Sequence, residues 1–165
     1  MKNVTKLVLT VVALAVAGTM TAQAQTNSGS ITATAVVQQP INVSGAVNLA
    51  FGNVFPGINK TIALTDAGAG RFDITGQAST NVNVSFTALP VNLTFGLNNL
   101  PIVFTAGSNT LNNAAGATGF TPSSGTSTAL SGTGALFVFV GGTVSPASNL
   151  AAGTYTGTVT MQVLY

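Results

Sequence analysis

The stretch "GTYTGTVTMQVLY" (153–165) carries the strongest strand pattern in this 165-residue chain. Its side chains alternate strictly, which is typical of a half-buried β-strand with one face toward a core. Threonines occupy the opposite face at 154, 156, 158 and 160. The apolar face consists of Tyr155, Val159, Met161, Val163 and Tyr165. An alternating strand of this length predicts a sheet protein in which the C-terminal residues are part of the core.

Shorter runs with the same period recur along the chain, separated by glycine- and proline-containing turns. No stretch after residue 24 shows a helical period, so the fold class is all-β, either an antiparallel β-sandwich or a barrel. We expect 112–134, which is poor in bulky side chains, to be a long surface excursion with at most one weak edge strand. The other predicted strand segments are 30–37, 41–52 (two short runs), 60–65, 71–76, 81–89, 91–97, 101–107 and 135–142.

The first 24 residues have the pattern of a secretory signal peptide. Lys2 and Lys6 precede an apolar run at 7–18, and the small residues of "AQA" (22–24) follow it. The apolar run is shorter than the roughly 20 residues of a membrane-spanning helix, so we predict cleavage before Gln25 rather than a retained anchor. The expected organisation is a signal peptide (1–24), an N-terminal extension (25–39) and one domain (40–165), secreted without stable membrane insertion.

Charge is scarce after the signal peptide. The formal net charge of +2 comes from Lys2 and Lys6, because the remaining charges sum to zero. They are Lys60, Asp66, Arg71 and Asp73. Nothing therefore points to nucleic acid as a partner, and a low net charge favours association with other protein surfaces. The chain has no cysteine, so a secreted domain of this kind must be stabilised by its sheet core, by neighbouring subunits, or by both.

The side chains needed for most catalysis are missing. Without histidine or cysteine, neither the Ser-His and Cys-His nucleophile systems nor the usual zinc, copper and haem sites can be built. Asp66 and Asp73 are the only carboxylate pair, and we interpret Asp66 as a turn residue and Asp73 as a surface partner of Arg71. The sequence therefore predicts no enzymatic activity, no metal and no cofactor.

Two stretches together resemble a family of secreted bacterial domains, catalogued mainly as a domain of unknown function, whose members look like pilus subunits. They are "VNLAFGNVFPG" (47–57) and "GGTVSPASNLAAGTYTGTVTMQVLY" (141–165). The terminal strand is also similar to that of chaperone–usher and spore-coat-type pilins, whose C-terminal tyrosine and preceding glycine correspond to Tyr165 and Gly153. The chain lacks the cysteine pair of many such pilins, so the assembly route stays open.

The resemblance implies an immunoglobulin-like, pilin-like β-sandwich that lacks its last strand and is completed by a donor strand from a neighbouring subunit. The apolar face of 153–165 would then belong to the acceptor groove. The donor would lie alongside the terminal strand or the strand around 135–142. Its inward-facing side chains would be Ile31, Ala33, Ala35 and Val37. The alternative is that 30–37 is simply the first strand of its own domain.

The function that the resemblance implies is a structural subunit of an extracellular filament, with other copies of the chain as its partners. A periplasmic chaperone and an outer-membrane assembly protein are the further partners it implies. The first alternative is a monomeric or matrix-associated surface adhesin with a complete sandwich. The second is a carbohydrate- or ice-binding module; the threonine face at 154–160 favours ice, but the chain has no tryptophan for stacking on sugars.

Overall fold

A computed structural model describes residues 25–104, 107–110 and 118–165. The predicted signal peptide lies outside the described residues. The chain divides into two units at Val36–Val37. In the described part of the first unit, residues 25–36, no strand is assigned and every side chain is exposed.

The second unit is all-β, and no helix occurs among its described residues. Its strands are β1 (Asn42–Val47), β2 (Lys60–Ile62), β3 (Gly70–Thr75), β4 (Asn81–Ala88), β5 (Asn92–Phe95), β6 (Asn98–Val103), β7 (Gly107–Thr110), β8 (Thr118–Phe120), β9 (Thr126–Ala129), β10 (Ala135–Val140), β11 (Gly142–Val144) and β12 (Thr160–Leu164).

These strands form three antiparallel sheets in a sandwich-like arrangement, which confirms the predicted fold class. Sheet I has the order β1-β3-β10-β7-β8, sheet II the order β2-β11-β6-β5, and sheet III the order β12-β4-β9. The alternating patterns of β3, β4 and β10 supply the apolar faces, as the sequence predicted.

Two hydrophobic clusters hold the sheets together. The larger one joins sheets I and III, with Ile74, Leu136 and Val138 from sheet I facing Val82 and Val84 from sheet III. The smaller one lies under sheet II and contains Leu100, Ile102 and Val144. Burying side chains of this size stabilises each by roughly 1.5–3 kcal/mol, so both clusters contribute substantially to the fold.

The predicted strand 135–142 is confirmed over 135–140 and ends there, because the chain changes sheets at Gly141. Val140 ends β10 in sheet I, and Gly142 begins β11 in sheet II. A β-carbon on Gly141 would lie 2.5 Å from the carbonyl oxygen of Ile62, and one on Gly142 would lie 3.0 Å from that of Val103. The two glycines therefore permit a backbone approach that joins the sheets.

The terminal strand is shorter than predicted. Only Thr160–Leu164 pairs with β4, as β12, whereas 154–159 lies outside any strand and pairs only through the isolated bridge between Thr156 and Thr94. The reason lies in the partner: β4 ends at Ala88, and Pro90, which has no N–H to donate, follows shortly after it. Residues before Thr160 therefore have no ladder to join on that side.

The stretch 112–134 is more than a surface excursion. Its described part contributes β8 and β9 at the edges of sheets I and III. Leu130 and Pro122 are buried, with Leu130 in the larger cluster. Bulky side chains are rare here, but these two lie in the interior. The second predicted run within 41–52, by contrast, is not a strand, because β1 ends at Val47.

Candidate functional site

Two strands of the described fold have one unpaired edge each and approach one another. β1 ends the order of sheet I and β12 ends that of sheet III, so each has a single neighbour. Ile41 and Val43 pack against the hydrophobic cluster that also contains Met161 and Val163 of β12. At the other end of β1 a gap separates it from the residues that precede β12.

We call this gap the edge slot. Gly45 and residues 47–49 form one wall, and residues 155–159, which precede β12, form the other. Phe72, Ile102 and Val140 form much of its apolar floor, and its volume is about 470 Å³. The slot is therefore a channel with both polar and apolar lining, between the end of β1 and the segment that precedes β12.

The wall at 155–159 has unused backbone groups. Thr156 exchanges two hydrogen bonds with Thr94 of β5, with N···O distances of 2.8 and 3.1 Å. The ladders of the described residues leave 157–159 unpaired. Extended backbone with free N–H and C=O groups beside an apolar channel can accept a further strand.

Tyr155 stands at one end of the slot. Its hydroxyl donates to the carbonyl oxygen of Ala151 at 2.8 Å, and its ring packs at 5.7 Å from that of Phe95. A second cleft of about 590 Å³ adjoins the slot, and Leu49 and Tyr155 line both. The two clefts thus continue one another past these two side chains.

One known protein family matches the part of the chain that contains all of these strands and the edge slot. The model of a domain of unknown function, DUF4402, matches residues 41–165. The chain belongs to the DUF4402 family. No curated protein and no solved structure matches it. The DUF4402 match includes both walls of the edge slot and begins after the segment with the predicted donor residues.

Within the DUF4402 domain, the five residues predicted to line an acceptor groove fall into three environments. Met161 and Val163 are buried in the larger cluster, whereas Tyr155 and Val159 are half-buried and line the slot. Tyr165 is 42% exposed in the single chain, so the expectation that it is buried there is wrong. The physical reason is its position at the end of β12, where its hydroxyl bonds to Gln39 and Gln77.

The predicted donor residues Ile31, Ala33, Ala35 and Val37 are all exposed, Ile31 at 97% and Val37 at 94%. The alternative that 30–37 is a strand of its own domain finds no counterpart in the structure, which assigns no strand there. The second predicted acceptor, the strand around 135–142, is wrong: β10 lies inside sheet I, and β3 and β7 occupy both of its edges.

The two carboxylates have structural partners. Asp66 accepts a hydrogen bond from the Ala63 amide at 2.8 Å within a turn. Asp73 forms a salt bridge with Arg71 on β3, with 2.8 Å between Oδ1 and Nε. Among the described residues, no cluster of three or more His, Cys, Asp or Glu side chains could hold a metal ion. The part of the chain described here also has no helix that is long and apolar enough to cross a membrane.

Sequence reasoning missed most of the wall and floor of the slot. Phe72 shares a face with Ile74 in the alternation of β3, which could have placed it. Val47 and Leu49 were assigned to a strand, yet they line the slot where β1 ends. No local pattern marks Ile102 and Val140 as floor residues, because they come together only through the pairing of distant strands.

Proposed function

We propose that this DUF4402 chain is a structural subunit of an extracellular filament, in which residues 31–37 of one subunit fill the edge slot of the next. The observation that carries the proposal is the slot itself. It lies between the end of β1, an edge strand of sheet I, and residues 155–159, of which 157–159 have no partner in the ladders of the described residues. A strand from another copy would pair with the free backbone and cover the apolar floor.

The dimensions support this occupant. Residues 155–159 span about 16 Å and residues 31–37 about 23 Å at the usual rise of about 3.3 Å per residue. The donor is therefore long enough to cover the open wall. Its inward side chains alternate, with two alanines between Ile31 and Val37, and they would face the apolar side chains of Phe72, Ile102 and Val140 in the slot.

The exposed apolar side chains support the same reading. Ile31, Val36 and Val37 are each at least 88% exposed in the single chain. A free segment with these side chains, on a domain with little charge to keep copies apart, favours association. The resemblance of residues 141–165 to pilins points the same way. We assign the subunit no catalytic activity and no cofactor.

The proposal is tested by negative-stain microscopy and light scattering of chain 25–165, comparing Ala35→Asp with Thr34→Asp. Both residues are exposed in the single chain, so neither variant should lose its fold. Ala35→Asp places an unpaired charge in the slot, which costs several kcal/mol, and should abolish filaments. Thr34→Asp faces the opposite side and should leave them largely intact.

One result would count against the filament, and two would count against 31–37 as its joint. Wild-type protein that stays monomeric at high concentration would favour the surface adhesin instead. Filaments of equal length from both variants would show that 31–37 is not the joint. A structure of the assembled form in which 31–37 pairs within its own chain would exclude strand exchange even if filaments exist.

A further inference from the structure

The hydroxyl of Tyr165 joins two segments that are far apart in sequence. It donates a hydrogen bond to the main-chain carbonyl of Gln39 and accepts one from the main-chain N–H of Gln77 at 2.8 Å. The Gln39 N–H in turn donates to Oε1 of Gln77 at 3.3 Å. We call this three-residue arrangement the Tyr165 clamp.

The clamp stands where the β1–β3 ladder stops. The last paired residues are Asn42 and Thr75. Continuing that register would place Pro40 opposite Gln77, and proline has no N–H to donate to the Gln77 carbonyl, so a full rung cannot form there. The Gln77 N–H donates to the Tyr165 hydroxyl instead. Gly76 leaves room for it, since a β-carbon there would lie 2.8 Å from the hydroxyl oxygen.

We propose that Tyr165 is a positioning residue. Its hydroxyl fixes the backbone of Gln39, and therefore the point at which the N-terminal extension (25–39) joins the domain. This deepens the proposed function, on which its consequence for a filament rests. In a filament the stretch between Val37 and Gln39 connects two subunits, so fixing Gln39 limits how far one subunit can swing relative to the next.

The hydroxyl, rather than the ring, carries this role. The ring is partly exposed, and Met161 and Val163 supply the buried apolar contacts of β12. Tyr165→Phe removes the clamp and keeps the ring. Tyr155→Phe is the matched control for hydrogen exchange, because it removes the other tyrosine hydroxyl of the chain, which bonds to Ala151 instead.

The first test is amide hydrogen exchange by NMR on folded chain 25–165, with Ala35→Asp as the common background so that every sample stays monomeric. In Tyr165→Phe, exchange of the Gln77 amide should accelerate roughly 3- to 10-fold, in line with the loss of one ordinary hydrogen bond. The Leu130 amide, which donates to Thr80, should not change, and Tyr155→Phe should leave Gln77 as it is in wild type. Unchanged exchange at Gln77 in Tyr165→Phe would overturn the clamp.

The second test is the persistence length of filaments in electron micrographs. Tyr165→Phe filaments should be measurably more flexible than wild type. Thr61→Val, which removes a hydroxyl bonded to Thr143 on sheet II, should match wild type. Equal stiffness of Tyr165→Phe and wild type would show that the clamp does not govern the joint. Absence of wild-type filaments would instead refute the proposed function and leave the exchange result to decide whether Tyr165 fixes Gln39.

Discussion

The ring of Phe95 lies against the α-carbon of Gly153, so close that a β-carbon there would stand 2.4 Å from two ring atoms. The same ring packs on Tyr155 with an interplanar angle of 56°. Gly153 thus lets the β5–β6 hairpin approach the chain just before the edge slot. The glycine at 153 therefore has a packing explanation within this domain.

We expect Gly153→Ala to lower the free energy of unfolding by about 1–2 kcal/mol, because the added methyl group forces the Phe95 ring away from Tyr155. The measurement is the urea midpoint at constant m-value. Gly132→Ala is the control, since nothing lies within 4 Å of a β-carbon at that glycine. Equal midpoints for the two variants would contradict the close approach.

The same substitution at two leucines tests the core assignment. Leu136 is 1% exposed and Leu97 is 99% exposed. Leu136→Ala should destabilise the domain by about 2–5 kcal/mol, because it leaves a cavity between sheets I and III. Leu97→Ala should stay within about 0.5 kcal/mol of wild type. Thermal unfolding of both variants measures the difference, and a comparable loss at both sites would mean that the larger cluster is wrongly placed.

Truncation of the C-terminal side chains should have graded effects. For Tyr165→Ala we expect a loss of about 1–3 kcal/mol, less than the 3–5 kcal/mol of a fully buried aromatic, because the ring is partly exposed. Deleting 161–165 should prevent folding, since Met161 and Val163 belong to the larger cluster and β12 pairs with β4. Circular dichroism would show it, and native-like spectra from the truncated chain would refute the role of β12.

Two subunits with complementary defects should form heterodimers but no filaments. Ala35→Asp disables the donor, and Val159→Asp places a charge in the edge slot and disables the acceptor. When they are mixed, the Val159→Asp donor can still enter the Ala35→Asp slot, so one joint forms and growth stops. Analytical ultracentrifugation should find dimers in the mixture only.

Gln162→Asp is the control for the acceptor variant, because Gln162 is exposed on β12 and does not line the slot. It should assemble like wild type. Filaments from the mixture of the two defective subunits, or from Val159→Asp alone, would show that the slot is not the acceptor.

Local alternation was sufficient to predict the strands whose two faces differ in polarity. β3, β4 and β10 lie where the sequence placed them, because residues such as Ile74, Val82 and Val138 alternate with polar or half-buried neighbours. The same alternation predicted a terminal strand that is longer than the observed β12. Alternation at 154–159 is compatible with a strand, but it cannot tell whether a partner strand is present.

The slot itself lay largely beyond local patterns. Val140 and Ile102 become neighbours because the chain changes sheets at Gly141, and the need for glycine there comes from the carbonyl of Ile62, far away in sequence. Likewise, nothing in the residues around Tyr165 identifies Gln39 and Gln77 as its partners. These contacts depend on the register in which distant strands pair. The alternation of side chains along one strand carries no information about that register.

The pairing of β12 with β4 also sets the order in which this domain can fold. Strand β4 forms sheet III only with β12 on one side and β9 on the other, and both are synthesised after it. Until residues 160–165 are available, one edge of β4 is bare and the positions of Met161 and Val163 in the core are vacant. The domain therefore completes its core only after residues 160–165 have been synthesised, through contacts that are distant in sequence and form slowly.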